Sequence, residues 1–128
     1  MTNESKPIRS EVSELVRREV IDRGFGRVAV LGYPDDMCDP WLRRPLAASG
    51  VLVMVPGVSD RAWIGEALDE LGGARELSAA RRHQLSTLLS HAMEHGVQAV
   101  IVSHEALAAV LDDLRVGVPI IDVWQLVQ

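Results

Sequence analysis

The chain has 128 residues, of which 48% are hydrophobic and 24% charged, and a formal net charge of −5. That size suits one domain able to bury roughly two-thirds of its unfolded surface, and that composition excludes wholesale disorder. The acidic balance without a lysine block argues against attraction to nucleic acid or anionic lipid. The lone cysteine, Cys38, leaves no intramolecular disulfide. With no apolar core of signal-peptide type and no membrane-length apolar run, a cytoplasmic residence is expected.

Residues 1–9 read as a flexible N-terminus and 10–128 as a single α/β domain. Ser10, with Glu11 and Glu14 behind it, predicts a capped helix to about Arg23, with an inner face of Val12, Leu15, Val16 and Val20 interrupted at Glu19. Gly24 and Gly26 stop it, and Arg27 to Leu31 is the first strand. Gly32-Tyr33-Pro34-Asp35-Asp36 reads as a turn-forming loop. Asp39-Pro40 then caps a short helix from Trp41 to Ala48.

Val51 to Val55 reads as a second strand buried on both faces, broken by Pro56-Gly57 before Ser59-Asp60 opens a helix with Trp63, Ile64, Ala67, Leu68 and Leu71 inward. Gly72-Gly73 interrupts, and Ser78 restarts a helix whose apolar positions Leu85, Leu88, Leu89, Ala92 and Met93 keep helical spacing up to Gly96. Val97 to Val102 is the third strand, and polar residues gather abruptly at its end as Ser103-His104-Glu105. A helix from Ala106 to Leu114 and a last strand, Ile120 to Val123, complete the pattern. Regular β/α alternation predicts a flavodoxin-like three-layer α/β/α domain, a four-stranded parallel sheet in the order 2-1-3-4. In such sheets the ligand crevice lies beyond the carboxyl ends of the strands, which is where Ser103, His104 and Glu105 fall.

Two stretches carry a family resemblance. Gly96-Val97-Gln98-Ala99-Val100-Ile101-Val102-Ser103-His104-Glu105-Ala106-Leu107 is similar, without a gap, to a G-A-E-x-V-I-L-G-C-T-E-L motif, and Val118-Pro119-Ile120-Ile121-Asp122-Val123 to V-P-x-x-D-T. Both motifs belong to the second lobe of the aspartate/glutamate racemase superfamily, so the chain resembles one lobe of a two-lobed enzyme over roughly Glu11 to Gln125. The resemblance implies a flavodoxin-like lobe and cofactor-independent proton transfer beside a carboxylate, with one cysteine from each lobe. This sequence departs from it at the reactive positions: His104 stands at the cysteine, Ser103 at the preceding glycine, Glu105 at the following threonine and Ala106 at the next glutamate. Gly32 to Asp36 stands where a G-T-x-x-T loop is expected, without either hydroxyl. Two-thiol racemization is therefore not expected.

His104 is the candidate acid/base, since imidazole exchanges a proton near neutral pH. A histidine after a strand also serves simply to hydrogen-bond a loop backbone. Glu105 reads as an orienter of that ring or as a dipole-compensating first-turn residue. Asp35 and Asp36 read as base, orienter or plain turn formers, with only one of the pair expected to matter. Gly32, Tyr33, Ser103, Cys38 and Trp41 are the candidate substrate-binding residues. Trp41, Trp63 and Trp124 read as pocket linings or as packing. His83, His91 and His95 sit on one helix, the His91–His95 pair lacks the Glu and third ligand of a zinc site, and all three read as surface; no metal and no cofactor are expected.

Two function classes follow. The first is a cofactor-independent isomerase or lyase acting beside a carbonyl or carboxylate of a small-molecule substrate, with His104 as acid/base in a site completed by a homodimer. The second is a noncatalytic lobe that binds a small molecule or a protein partner. Convergence of His104, Glu105 and Asp35 or Asp36 around one concavity separates them.

Overall fold

The computed structural model describes residues 8–72 and 76–127, so the expectations for the first seven residues and for Gly73 lie outside the described residues. Helix α1 (Arg9–Asp22) leads into strand β1 (Arg27–Leu31), then α2 (Pro34–Cys38), α3 (Pro40–Ala48), β2 (Leu52–Met54) and α4 (Val58–Gly72). Helix α5 (Ala79–Glu94), β3 (Ala99–Val102), α6 (Glu105–Leu114) and β4 (Ile120–Asp122) follow, with a 3₁₀ turn over Val123–Gln125. The four strands form one parallel sheet in the order β2-β1-β3-β4, as the alternating pattern predicts.

The sheet is covered on both sides because its central strands are apolar at every position after Arg27. On one face Ala29, Leu31, Val100 and Val102 meet Ile64 and Leu68 of α4, Leu85 and Leu89 of α5, and Leu107 and Leu111 of α6. On the other, Val28, Val30, Ala99 and Ile101 meet Val12, Val16 and Val20 of α1 and Leu42 and Leu46 of α3. Leu31 pairs with Val102, and Val102 with Asp122, so β1, β3 and β4 end in one row. That row places Gly32, Ser103 and the turn after Asp122 side by side at the carboxyl edge.

Several local expectations are corrected. Ser10 is not the N-cap of α1: the helix starts at Arg9 with Ile8 before it and no side-chain cap, and the Ser10 carbonyl accepts from the Ser13 hydroxyl at 3.1 Å. Leu15 is exposed, and Ser13 takes its place on the buried face. Strand β2 is not buried on both faces, since it forms one edge of the sheet and leaves Leu52 57% exposed. The segment after Gly32 is helical rather than open loop. Pro34 supplies the fixed φ of a first helical position and Asp35 and Asp36 favour the positive helix end, so a single turn forms there. Helix α4 starts at Val58, which places Ser59 and Asp60 inside its first turn instead of ahead of it.

Candidate functional site

Strand β3 is buried throughout, and where it ends the chain has two residues in which to turn into α6. Ser103, 2% exposed, is held at three points. Its N–H donates to the Leu31 carbonyl at 3.0 Å, its hydroxyl donates to Asp36 Oδ2 at 2.9 Å, and its carbonyl accepts the Trp124 indole N–H at 2.6 Å. Asp36, one side of a helical turn that also sends Met37 inward, is itself buried. Its other oxygen accepts from Trp41 Nε1 at 3.2 Å and lies 3.7 Å from Arg9 Nη2. A buried carboxylate and a buried hydroxyl thus satisfy one another, which is the condition on which such groups are tolerated in a core. Gly32 makes room for them: a Cβ there would stand 1.8 Å from Ser103 Oγ.

His104 is the N-cap of α6. Its Nδ1 accepts the backbone N–H of Leu107 at 3.2 Å. A backbone N–H can only donate, so Nδ1 supplies a lone pair and the proton of the neutral ring resides on Nε2. Partial burial pushes the imidazole below its ordinary 6.5, against the opposing pull of a hydrogen bond to its own backbone and of the Glu105 charge. The cap and the positive end of α6 act in the same sense as burial, because a protonated Nδ1 would face N–H groups. Tyr33 packs on the ring with centroids 4.8 Å apart and planes inclined by 57°. The result is a neutral imidazole presenting one N–H at the carboxyl edge of the sheet.

The remaining predicted residues divide. Gly32, Tyr33, Asp36, Ser103 and Trp41 are linked to one another or to His104 through the contacts above. Asp35, Cys38 and Glu105 are exposed, with no side-chain hydrogen bond among the described residues, and Glu105 occupies the first turn of α6. Cavities of about 660, 590 and 640 Å³ open elsewhere on the molecule, and none of the three is lined by Tyr33, Asp36, Ser103 or His104. Among the described residues no group of three or more His, Cys, Asp and Glu side chains is arranged to hold a metal ion. No helix among them is long and apolar enough to cross a membrane.

Two participants escape the sequence reading. Arg9 falls in the segment read as a flexible end, yet its guanidinium lies 3.2 Å from Asp39 Oδ2 and 5.1 Å over the Trp41 ring. Trp124 reads as a pocket lining or as packing, and its partly buried indole grips the Ser103 carbonyl. A pointer to Trp124 exists in the order of strands, since the residue just past the end of β4 must lie beside the end of β3. Leu126 and Val127 pack partly buried against the α1 and α3 core.

No family model matches the chain, and no curated protein matches it in sequence. Solved structures do match. A protein of Yersinia pestis, provisionally assigned as an Asp/Glu racemase, superposes with a TM-score of 0.79 at 19% identity over 90% of this chain and 50% of its own. An aspartate racemase homologue from Pyrococcus horikoshii OT3 gives 0.77 at 20% identity, with the same two shares of 90% and 50%. The chain spans about half the length of each, so what the likeness establishes is a fold: the four-stranded parallel α/β lobe of racemase homologues.

Proposed function

We propose that the chain is a cofactor-independent isomerase or lyase that moves a proton beside a carbonyl or carboxylate, with His104 as its acid, in a site completed by a second copy of the chain. The observation that carries this reading is the His104 N-cap: Nδ1 is committed to Leu107, so the ring is held neutral with Nε2–H free. A helix terminus that keeps an imidazole neutral so that it polarises a carbonyl is an established device of isomerase chemistry.

The substrate oxygen would accept from Nε2–H, and as the neighbouring carbon gives up its proton to a base, charge gathers on that oxygen and the hydrogen bond strengthens. Returning the proton to the carbon completes an isomerisation. Cleaving a neighbouring C–C bond to reach the same enolate makes a lyase. Glu105 and Asp35, both exposed at this end, are the candidate bases, whereas Asp36 is committed to Ser103 and Trp41 and acts as an orienter. The open edge supports the need for a second copy. Racemase homologues of twice this length share the fold, and a two-fold dimer that turns each carboxyl edge toward the other would exclude water from both.

One observation favours the noncatalytic alternative. His104, Glu105 and Asp35 do not converge on any of the three cavities, as a helix cap with a purely structural role would have it. Turnover of a panel of carboxylic and β-keto acids by wild type and by His104→Asn distinguishes the two. Asparagine keeps a cap acceptor and removes the imidazole. Loss of about 10² in rate or more supports the enzyme reading, and no turnover by either protein supports the binding lobe.

A further inference from the structure

On the sheet face under α4 and α5, away from His104, lies the cavity of about 660 Å³. Its floor is Ala29 and Leu31 of β1 and Met54 of β2, and Trp63 of α4 forms one wall. The space exists because α4 packs toward α2 and α6, α5 packs toward α6, and β1 presents the small Ala29 on this face. The volume lies within the usual range of small-molecule sites, and a largely apolar lining with a few polar groups is their usual composition.

The polar groups come from one side. His83, Thr87, His91 and His95, each one turn from the next, run along the α5 rim. His95 Nδ1 donates to the His91 carbonyl at 2.8 Å, which leaves Nε2 directed away from the helix backbone, and the two imidazoles stack with centroids 4.9 Å apart and planes inclined by 13°. Across the cavity, Asp60 already accepts the Trp63 indole N–H at 2.8 Å, which fixes the indole plane. Thr87 and His91 can each present a hydrogen-bond donor to the cavity, opposite a carboxylate that is already engaged, which suits a ligand that brings acceptors.

We propose that this cavity binds a flat aromatic carboxylate, its ring on the Ala29–Leu31–Met54 floor beside Trp63 and its carboxylate at the His91–His95 rim. The site is independent of the reading given to His104. The test is an amide and indole NMR titration of the whole chain with 2-naphthoate and, as the uncharged arm, 2-naphthamide. Expected are shifts centred on the Trp63 indole, Thr87 and Leu88, with naphthoate bound at least tenfold more tightly. Thr87→Trp, which fills the mouth from an exposed position, removes both ligands. His91→Ala with His95→Ala lowers naphthoate to the level of the amide. Equal affinity of the two ligands, shifts centred on Tyr33 and His104 instead, or the same shifts on raising protein concentration alone, which would put a second copy in the cavity, each overturn the proposal.

Discussion

The Ser103 hydroxyl donates to Asp36 Oδ2 at 2.9 Å across 67 positions of sequence, and both residues are buried. This bond ties the end of β3 to the helical turn after β1 and so fixes the backbone from which His104 projects. Asp36→Ala would leave the Ser103 hydroxyl and the Trp41 indole without their acceptor. We predict a loss of about 2–4 kcal/mol, since each orphaned donor costs about 1–3 kcal/mol, measured by urea denaturation with an unchanged m-value. A loss below about 0.5 kcal/mol would mean that the carboxylate does not hold this edge.

Gly32→Ala is predicted to destabilise the chain by about 1–3 kcal/mol, the usual cost of overpacking a filled core. The new Cβ collides with Ser103 Oγ at 1.8 Å, whereas Ser103 Cβ, at 3.1 Å, would have to give only slightly. Adding Ser103→Ala should therefore cost less in the Gly32→Ala background than in wild type. Strict additivity in a double-mutant cycle would exclude the contact.

The depressed titration of His104 predicts a direction of pH dependence. The unfolded ring titrates near 6.5 and the folded ring lower, so the unfolded state binds more protons between the two values. The contribution is fully present above pH 6.5 and is lost as pH falls through the folded value. His104→Asn should flatten this acid limb and, by keeping the cap, preserve stability at pH 8, whereas His104→Ala should lose about 1 kcal/mol there. Imidazole NMR titration checks the shift directly, and a folded value above the unfolded one would contradict it.

A homodimer is predicted from the open carboxyl edge. Sedimentation across micromolar concentrations should show twice the mass of a single chain, and an exposed-edge substitution such as Tyr33→Arg should weaken the association. A species of one chain's mass throughout, or a dimer indifferent to Tyr33, would remove the shared site.

The sheet is legible in the sequence because a strand covered on both faces must be apolar at every position, and V-A-V-L and A-V-I-V are. Edge strand β2 reads the same way, since V-L-V-M-V carries no mark of the neighbour it lacks. The helical turn at Pro34 is hidden because proline followed by two aspartates suits a turn and a helix start alike. His104 as a cap is obscured by Ser103, the more usual capping residue, whose hydroxyl is spent on Asp36 instead. Tyr33, Asp36, Ser103 and His104 are recoverable as a candidate site because they follow the ends of β1 and β3. How far α4 and α5 part to leave a cavity depends on interhelix packing, which periodicity does not record.

Hydrogen exchange at the reacting carbon reads proton transfer by His104 without knowledge of the full reaction. In D₂O at pH 7.5, with a panel of carboxylates and β-keto acids, proton NMR reads deuterium entering the carbon beside the carbonyl. Wild type is predicted to incorporate deuterium into at least one member of the panel, with a fall of about 10² or more in His104→Asn, within the range of one acid/base group. Incorporation that falls less than tenfold in His104→Asn would contradict the assignment of His104.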